Sequence, residues 1–152
     1  MDVVAYTMQY EGPHITSDLT ITTFEAKYYE TYRAIYYDCF YEMRKELGLQ
    51  PFYACNSIEQ VLGKKDSIFL LLNENEIVGS IAVYGNEIDD LIVAQKFQNQ
   101  GNGKRLLEFA ISFMQKQNIV PIILHVAKWN QNAISLYKNT GFVISEIKTV
   151  VV

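Results

Sequence analysis

The segment 91–107 constrains the fold more than any other part of the sequence, because it joins an apolar strand to a helix through a polar loop. Gly101 and Gly103 stand where the loop becomes the helix, so the backbone N–H groups there are unhindered and lack partners. The positive end of the helix dipole adds to these donors, and Lys104 and Arg105 follow directly. The pattern indicates a loop that binds an anion such as a pyrophosphate.

Two common phosphate-binding loops do not fit this spacing. A dinucleotide-binding fingerprint requires a third glycine, at the position of Leu106, and an acidic residue after the next strand. A Walker-type loop requires Ser or Thr after Gly-Lys, where this chain has Arg105. A lone Gly-x-Gly also occurs in ordinary loops, so the surrounding residues must decide between an ordinary loop and an anion-binding loop.

The residues Gln98-x-x-Gly101-x-Gly103 match a different pattern. They resemble the Gln/Arg-x-x-Gly-x-Gly/Ala signature of the GCN5-related N-acetyltransferase superfamily. A second block, residues 130–142, has Asn, Ala, Leu-Tyr and Gly-Phe at the spacing of that family's second conserved block. The two blocks together cover roughly residues 66–145, and the family's first strand and long helix would occupy 18–47.

The resemblance implies an α/β fold (α+β by some schemes), in which about four helices flank a mixed, mostly antiparallel sheet of six to seven strands. Hydrophobic periodicity predicts the matching order of elements along one domain, residues 1–152. The predicted elements are an N-terminal strand or arm within 1–17, a strand at 20–24, helices over 25–47 and from Pro51 toward Leu62, a hairpin over 67–84, a strand at 87–94, a helix over 103–117, a strand at 120–126 parallel to the one before the loop, a short helix over 130–139 and a last strand from Phe142.

Composition restricts the partners. With 152 residues, 49% hydrophobic and 20% charged, the chain suits one domain with its own core. A net charge of −4 argues against nucleic acid or an anionic membrane, which both require a basic face. No apolar run reaches the ~20 residues of a membrane span and the first residues lack a signal pattern, so a cytoplasmic location is expected. The two cysteines and two histidines lack the spacing of a metal site, so no metal is expected.

The resemblance implies acetyl-CoA as co-substrate. Its pyrophosphate would lie on the loop, and its pantetheine arm along the backbone of the preceding strand. Asn130, a helix N-cap candidate on local grounds, would contact the pantetheine or pyrophosphate region. Three loop positions lack the Arg or Lys often found in the family, which leaves the phosphates to backbone donors. The predicted cofactor-binding residues are Leu91, Ile92, Val93, Gln98, Asn99, Gln100, Gly101, Asn102, Gly103, Lys104 and Asn130.

The same resemblance implies that Tyr137 is the general acid that protonates the leaving thiolate, a task suited to a phenol with an ordinary pKa of ~10. An amine also needs a base. By resemblance, Glu87 and then Asp89 are the preferred candidates, because they stand eleven and nine residues before Gln98, where members of the family carry an acid; they would act directly or through water. Strand alternation would put Glu87 and Asp89 on one face of the strand and Asp90 on the other. A solvated strand end is the alternative for these carboxylates.

The helix over 25–47 carries more aromatic side chains than one core face can hold. By resemblance it lines the acceptor pocket, where surplus tyrosines would shape a site for an amine. Packing against the sheet or against a second copy of the chain is the alternative, so a homodimer stays open. These aromatics are Tyr28, Tyr29, Tyr32, Tyr36, Tyr37, Phe40 and Tyr41.

The expected function is transfer of acetyl from acetyl-CoA to a primary amine, on a small molecule or a peptide, by direct attack in a ternary complex. The acidic net charge loosely favours a cationic acceptor such as a polyamine, an amino sugar or a peptide amine. A sensor that binds acyl-CoA without turnover is the alternative. A structural interaction domain without affinity for CoA is a third class.

Overall fold

The computed structural model describes residues 2–151, so Met1 and Val152, the two ends of the predicted domain, lie outside the description. The described residues form one seven-stranded sheet in the order β2-β3-β4-β5-β6-β1-β7. Four helices accompany it. The elements are β1 Asp2–Tyr10, β2 Thr22–Thr23, α1 Tyr29–Glu46, α2 Ile58–Leu62, β3 Ile68–Asn73, β4 Glu76–Tyr84, β5 Glu87–Val93, α3 Asn102–Lys116, β6 Ile123–Ala127, α4 Gln131–Thr140 and β7 Phe142–Val151.

The sheet is mixed and mostly antiparallel, which confirms the fold expected from the sequence. The exception is β5 with β6, which run parallel because α3 carries the chain across between them. Their pairing covers only Glu87 with Ile123 and Ile88 with Leu124. Beyond these two pairs the strands part, and an opening forms between the second half of β5 and β6.

The N-terminal strand lies inside the sheet rather than at its edge. β1 pairs antiparallel with β6 on one side and with β7 on the other. Thr7 is thereby placed opposite His125 of β6 and Glu146 of β7. The sequence predicted a strand or arm here, but its position depends on long-range pairing that local patterns do not encode.

Helices cover both faces of the sheet. α3 packs Leu106, Leu107 and Ile111, each fully buried, against one face at the spacing of an amphipathic helix. On the other face α1 packs Tyr32 and Ile35 against apolar residues of β3, β4 and β5. The two hydrophobic clusters therefore lie on opposite sides of β4 and β5, so these strands are at the centre of the described structure.

Two predicted elements are shorter than expected. The helix predicted from Pro51 is present only as α2, because the side chain of Ser57 accepts the N–H of Gln60 and the Gln60 side chain accepts the N–H of Ser57. This capping box sets the start of the helix. The strand predicted at 20–24 pairs over Thr22–Thr23 only. Within residues 2–151, no helix has the length and apolar character needed to cross a membrane.

Candidate active site

A cavity of about 480 Å³ occupies the opening between β5 and β6. Its walls come from α1, β5, the loop before α3, β6 and α4. Because β5 and β6 pair only at their first residues, the cavity lies where their backbone groups are released from the sheet. The lining includes Phe40, Asp89, Asp90, Leu91, Val93, Gln98, Asn99, Gly101, Asn102, Gly103, His125, Asn130 and Tyr137.

A β-bulge turns β5 at the edge of the cavity. Ser80 of β4 pairs with Ile92 and Ala82 pairs with Asp89, so that one residue of β4 faces two of β5. Asp90 sits in the bulge with φ of 51°, a left-handed conformation that Asp tolerates better than most residues. The bulge breaks the strand alternation, and both Asp89 and Asp90 therefore border the cavity.

The loop before α3 presents free backbone donors to the same cavity. Gly101 has φ of 83° and is the N-cap residue, and no side chain caps the helix. The N–H groups of Asn102, Gly103 and Lys104 therefore lack partners within α3. A Cβ added at Gly101 would meet no atom within 4 Å, so the left-handed backbone, not crowding, favours glycine here. Such a loop can hold an anion.

Side chains of the loop hold its shape. Gln98 Nε2 donates to the carbonyl of Val93 at 3.0 Å, and Asn102 Nδ2 donates to the carbonyl of Phe97 at 2.9 Å. Asn102 is buried, and its side-chain oxygen accepts a hydrogen bond from Arg105. Because these side chains are engaged within the loop, contacts to a phosphate would come mainly from backbone N–H groups.

Tyr137 projects from α4 toward the cavity. Its ring packs against Phe142, with ring centroids 6.0 Å apart. Burial and, to a smaller extent, the negative charge of Asp89 together raise the pKa of Tyr137 to about 12. The hydroxyl is therefore protonated at neutral pH and can donate a proton.

The carboxyl group of Asp90 is also shifted. Burial and the charge of Asp89 raise the pKa of Asp90 from its ordinary 3.8 to about 6, while the hydrogen bond from Tyr36 and the charge of Lys64 oppose this rise. Asp89 Oδ1 accepts the backbone N–H of Asp90 at 2.8 Å, which holds the Asp89 carboxylate against the backbone of Asp90. A carboxyl group that titrates near 6 suits a general base at neutral pH.

Glu87 is set back from the cavity. Its Oε1 lies 2.9 Å from His125 Nε2, and His125 Nδ1 lies 2.9 Å from Thr7 Oγ1. The three side chains form a polar chain across β5, β6 and β1. Since His125 borders the cavity and Glu87 does not, the imidazole lies between Glu87 and the cavity.

A second cavity, of about 400 Å³, adjoins the first and shares Phe40, Met43, Asp89 and Asp90 with it. It lies between α1, the segment before α2 and the bulge of β5. The two cavities therefore give the carboxylates access from two sides.

Residues 29–142, well over half of the chain, match the model of the acetyltransferase (GNAT) family. The chain belongs to the GNAT family. Membership implies an acyltransferase, and it confirms the family resemblance seen in the two sequence blocks.

Solved structures have the same GNAT fold. A GNAT-family protein from Novosphingobium aromaticivorans has 18% sequence identity and a TM-score of 0.70, with 98% of this chain and 63% of that chain covered. A GNAT acetyltransferase from Colwellia psychrerythraea has 12% identity and a TM-score of 0.67, over 98% and 55%. The PaiA N-acetyltransferase from Thermoplasma acidophilum, solved with coenzyme A, has 18% identity and a TM-score of 0.66, over 86% and 96%. The chain thus spans under two thirds of the length of the first two proteins.

The structure brings most of the predicted GNAT site residues to one place. Tyr137, Asp89, Asn130 and most of the loop line the first cavity. Asn130 also accepts the N–H of Ala133 at 3.3 Å, which confirms its predicted N-cap position. Four predicted residues lie outside the lining: Glu87, Ile92, Gln100 and Lys104.

Sequence reasoning did not single out Asp90 or His125. Asp90 was placed on the opposite strand face, because alternation assumes a regular strand and the bulge is not visible in it. The adjacent acidic residues Asp89 and Asp90 within a short strand are the feature of the sequence that could have indicated a role for Asp90. His125 had no local signal, since its partners Glu87 and Thr7 come from distant strands.

Proposed function

We propose that this GNAT protein transfers acetyl from acetyl-CoA to a primary amine by direct attack in a ternary complex. One observation carries the proposal. A proton donor, Tyr137, two carboxylates, Asp89 and Asp90, and the uncapped N-terminus of α3 all border one cavity in the opening of the sheet.

The cavity suits acetyl-CoA as co-substrate. The free N–H groups at the start of α3 would hold the pyrophosphate, helped by the positive end of the helix dipole. The backbone of Leu91, Ile92 and Val93 would follow the pantetheine arm, because β5 has left β6 at that point. The PaiA protein was solved with coenzyme A, which supports the same ligand class here.

In the proposed reaction the neutral amine attacks the thioester carbonyl carbon, a C–N bond forms and the C–S bond breaks. The departing sulfur takes the proton of the Tyr137 hydroxyl, and the proton lost by the amine goes to a carboxylate. Tyr137 suits the first role because its raised pKa keeps it protonated. Solvent then restores both groups.

Among the described residues, Asp90 and Asp89 are the acidic side chains that line the first cavity. Asp90 has its pKa raised to about 6, which leaves it mostly deprotonated at neutral pH and still basic enough to accept a proton. Glu87 stays a candidate that would act through water, because it does not line the first cavity and both nitrogens of the intervening His125 ring are engaged, with Glu87 and Thr7.

The first experiment is calorimetric titration with acetyl-CoA, with desulfo-CoA and adenosine diphosphate as comparisons. Micromolar binding of acetyl-CoA, tighter than that of the diphosphate, is the expected result. Amines are then screened for release of CoA thiol. Binding without amine-dependent release would favour the sensor alternative, and absence of binding at millimolar ligand would remove the enzyme assignment.

The base is tested by three separate variants, Glu87→Gln, Asp89→Asn and Asp90→Asn, in a chemistry-limited assay. The variant that removes the base should lower kcat by about 10²-fold or more and abolish the acidic limb of the pH–rate profile. Unchanged profiles in all three variants would mean that solvent accepts the proton.

A further inference from the structure

The second cavity adjoins the site of the proposed acetyl transfer, and the acceptor assignment rests on that proposed function. It meets the first cavity at Asp89 and Asp90, so an amine that entered through it would arrive beside the carboxylates. Its remaining wall comes from α1 and from Ala54, Cys55 and Asn56.

The charges of this cavity are divided between its two ends. Tyr36, Phe40 and Arg44 follow one another at every fourth residue and therefore line one side of α1. The Tyr36 hydroxyl contacts Asp90 at 2.8 Å, which fixes the acidic end. Arg44 lies two turns further along, about 12 Å down the helix axis at 1.5 Å per residue. The apolar side chains of Phe40 and Met43 lie between the two ends.

Arg44 has no acidic partner among residues 2–151. Its Nε donates to the carbonyl of Pro51 at 2.7 Å, which holds the side chain in place. The ion pairs of the described residues do not include Arg44, whereas Arg33 on the same helix pairs with Glu30 at 2.5 Å. The terminal NH₂ groups of Arg44, which make no hydrogen bond to the described residues, are left available at the cavity. A guanidinium presents these groups in the geometry that a carboxylate or phosphate accepts.

We propose that the acceptor is an amine that carries an anionic group, a carboxylate or a phosphate, at its far end. The amine lies at Asp89 and Asp90, the body of the molecule lies on Phe40 and Met43, and the anion binds Arg44. The distance suits a linear molecule of about 12 Å, equivalent to three or four extended residues. This acceptor class differs from the cationic one that net charge favours, because local charges decide recognition at a site.

The test compares acceptors that share an eight-carbon chain and differ only at the far end. They are omega-amino octanoate, omega-amino octyl phosphate, octylamine and diaminooctane. The amino carboxylate or the amino phosphate is expected to have kcat/KM at least tenfold above octylamine, because a charge-assisted hydrogen bond is gained. The better of the two identifies the anion. Equal or greater kcat/KM for diaminooctane would overturn the proposal.

Arg44→Gln and Arg44→Lys test the assigned residue. Arg44→Gln should raise KM for the preferred anionic acceptor tenfold or more, with kcat and the KM for octylamine unchanged, and Arg44→Lys should restore part of the loss. Arg33→Gln is the matched control on the same helix, since it removes a guanidinium outside both cavities. Equal effects of Arg44→Gln on anionic and neutral acceptors would contradict the assignment.

These outcomes are separable from failure of the proposed function. A protein that binds acetyl-CoA and acetylates octylamine and diaminooctane as well as the anionic chains retains acetyl transfer and loses only the acceptor class. A protein that binds acetyl-CoA and acetylates other amines but none of the four also loses only the acceptor class, whereas one that acetylates no amine of the wider screen loses both.

Discussion

The hydroxyl of Tyr36 on α1 donates a hydrogen bond of 2.8 Å to Oδ1 of Asp90 in the bulge of β5. This contact joins α1 to β5, and both elements border both cavities. It also stabilises the charged form of Asp90, because a donor to a carboxylate opposes the rise in pKa that burial causes.

Tyr36→Phe should therefore raise the pKa of Asp90 above its present value of about 6. If Asp90 is the base, the acidic limb of the pH–rate profile moves to higher pH, since the base acts only when deprotonated. The measurement is kcat/KM against pH for the variant and the wild type. Tyr37→Phe, on the same helix and outside both cavities, is the control. An acidic limb that does not move would exclude Asp90 as the base.

Asp90→Asn should stabilise the fold at pH 8. The pKa of Asp90 is raised in the folded state, so the folded protein holds this proton after the unfolded chain has lost it. Stability from this group is thus present below pH 4 and is lost as the pH rises from about 4 to about 6. The Asn variant avoids this loss, so its free energy of unfolding at pH 8 should be about 2 kcal/mol higher than that of the wild type, allowing for screening.

Urea unfolding at pH 8 and at pH 4 measures this effect, and the advantage of the variant should shrink at the lower pH. Asn also tolerates the left-handed backbone at position 90, so no strain is added. Asp18→Asn serves as the control, because this side chain is exposed and lies outside both cavities. An equal gain at both pH values would contradict the linkage argument.

Much of the fold could be predicted from the sequence because its signals are local. The burial of Leu106, Leu107 and Met114 follows from their helical spacing. Gly101 at the start of α3 follows from its place in the loop, where a left-handed residue is required. The resemblance to the family then supplied the mixed, mostly antiparallel sheet, which short-range patterns leave open.

Features that depend on long-range strand pairing could not be predicted from local sequence patterns. The position of β1 between β6 and β7 depends on contacts more than a hundred residues apart. The polar chain of Thr7, His125 and Glu87 exists only because of that position. The bulge at Asp90 was missed for a similar reason, since it is defined by the register of β5 against β4.

Gly101→Val should weaken acetyl-CoA binding at least tenfold. A β-branched residue resists φ of 83°, so the loop would change shape and its N–H groups would move from the positions that suit the phosphates. Calorimetric titration measures the affinity. Gly103→Ala is the control for adding a side chain to the loop without backbone strain, and it should stay folded because its Cβ would lie at an ordinary 3.6 Å from Leu136. Wild-type affinity in a folded Gly101→Val protein would count against the loop as the phosphate site.

Tyr137→Phe should lower kcat by about 10²-fold and leave the affinity for acetyl-CoA nearly unchanged. The substitution removes the hydroxyl but keeps the ring, which packs against Phe142. The raised pKa keeps Tyr137 protonated up to about pH 12, so the wild-type rate should not fall near pH 9 through deprotonation of Tyr137.

The measurement is single-turnover release of CoA thiol, since it reports chemistry rather than product release. Tyr10→Phe, whose ring also packs against Phe142, is the matched control and should retain wild-type turnover. A Tyr137→Phe protein with wild-type turnover would remove the phenol from the reaction and assign the proton to solvent.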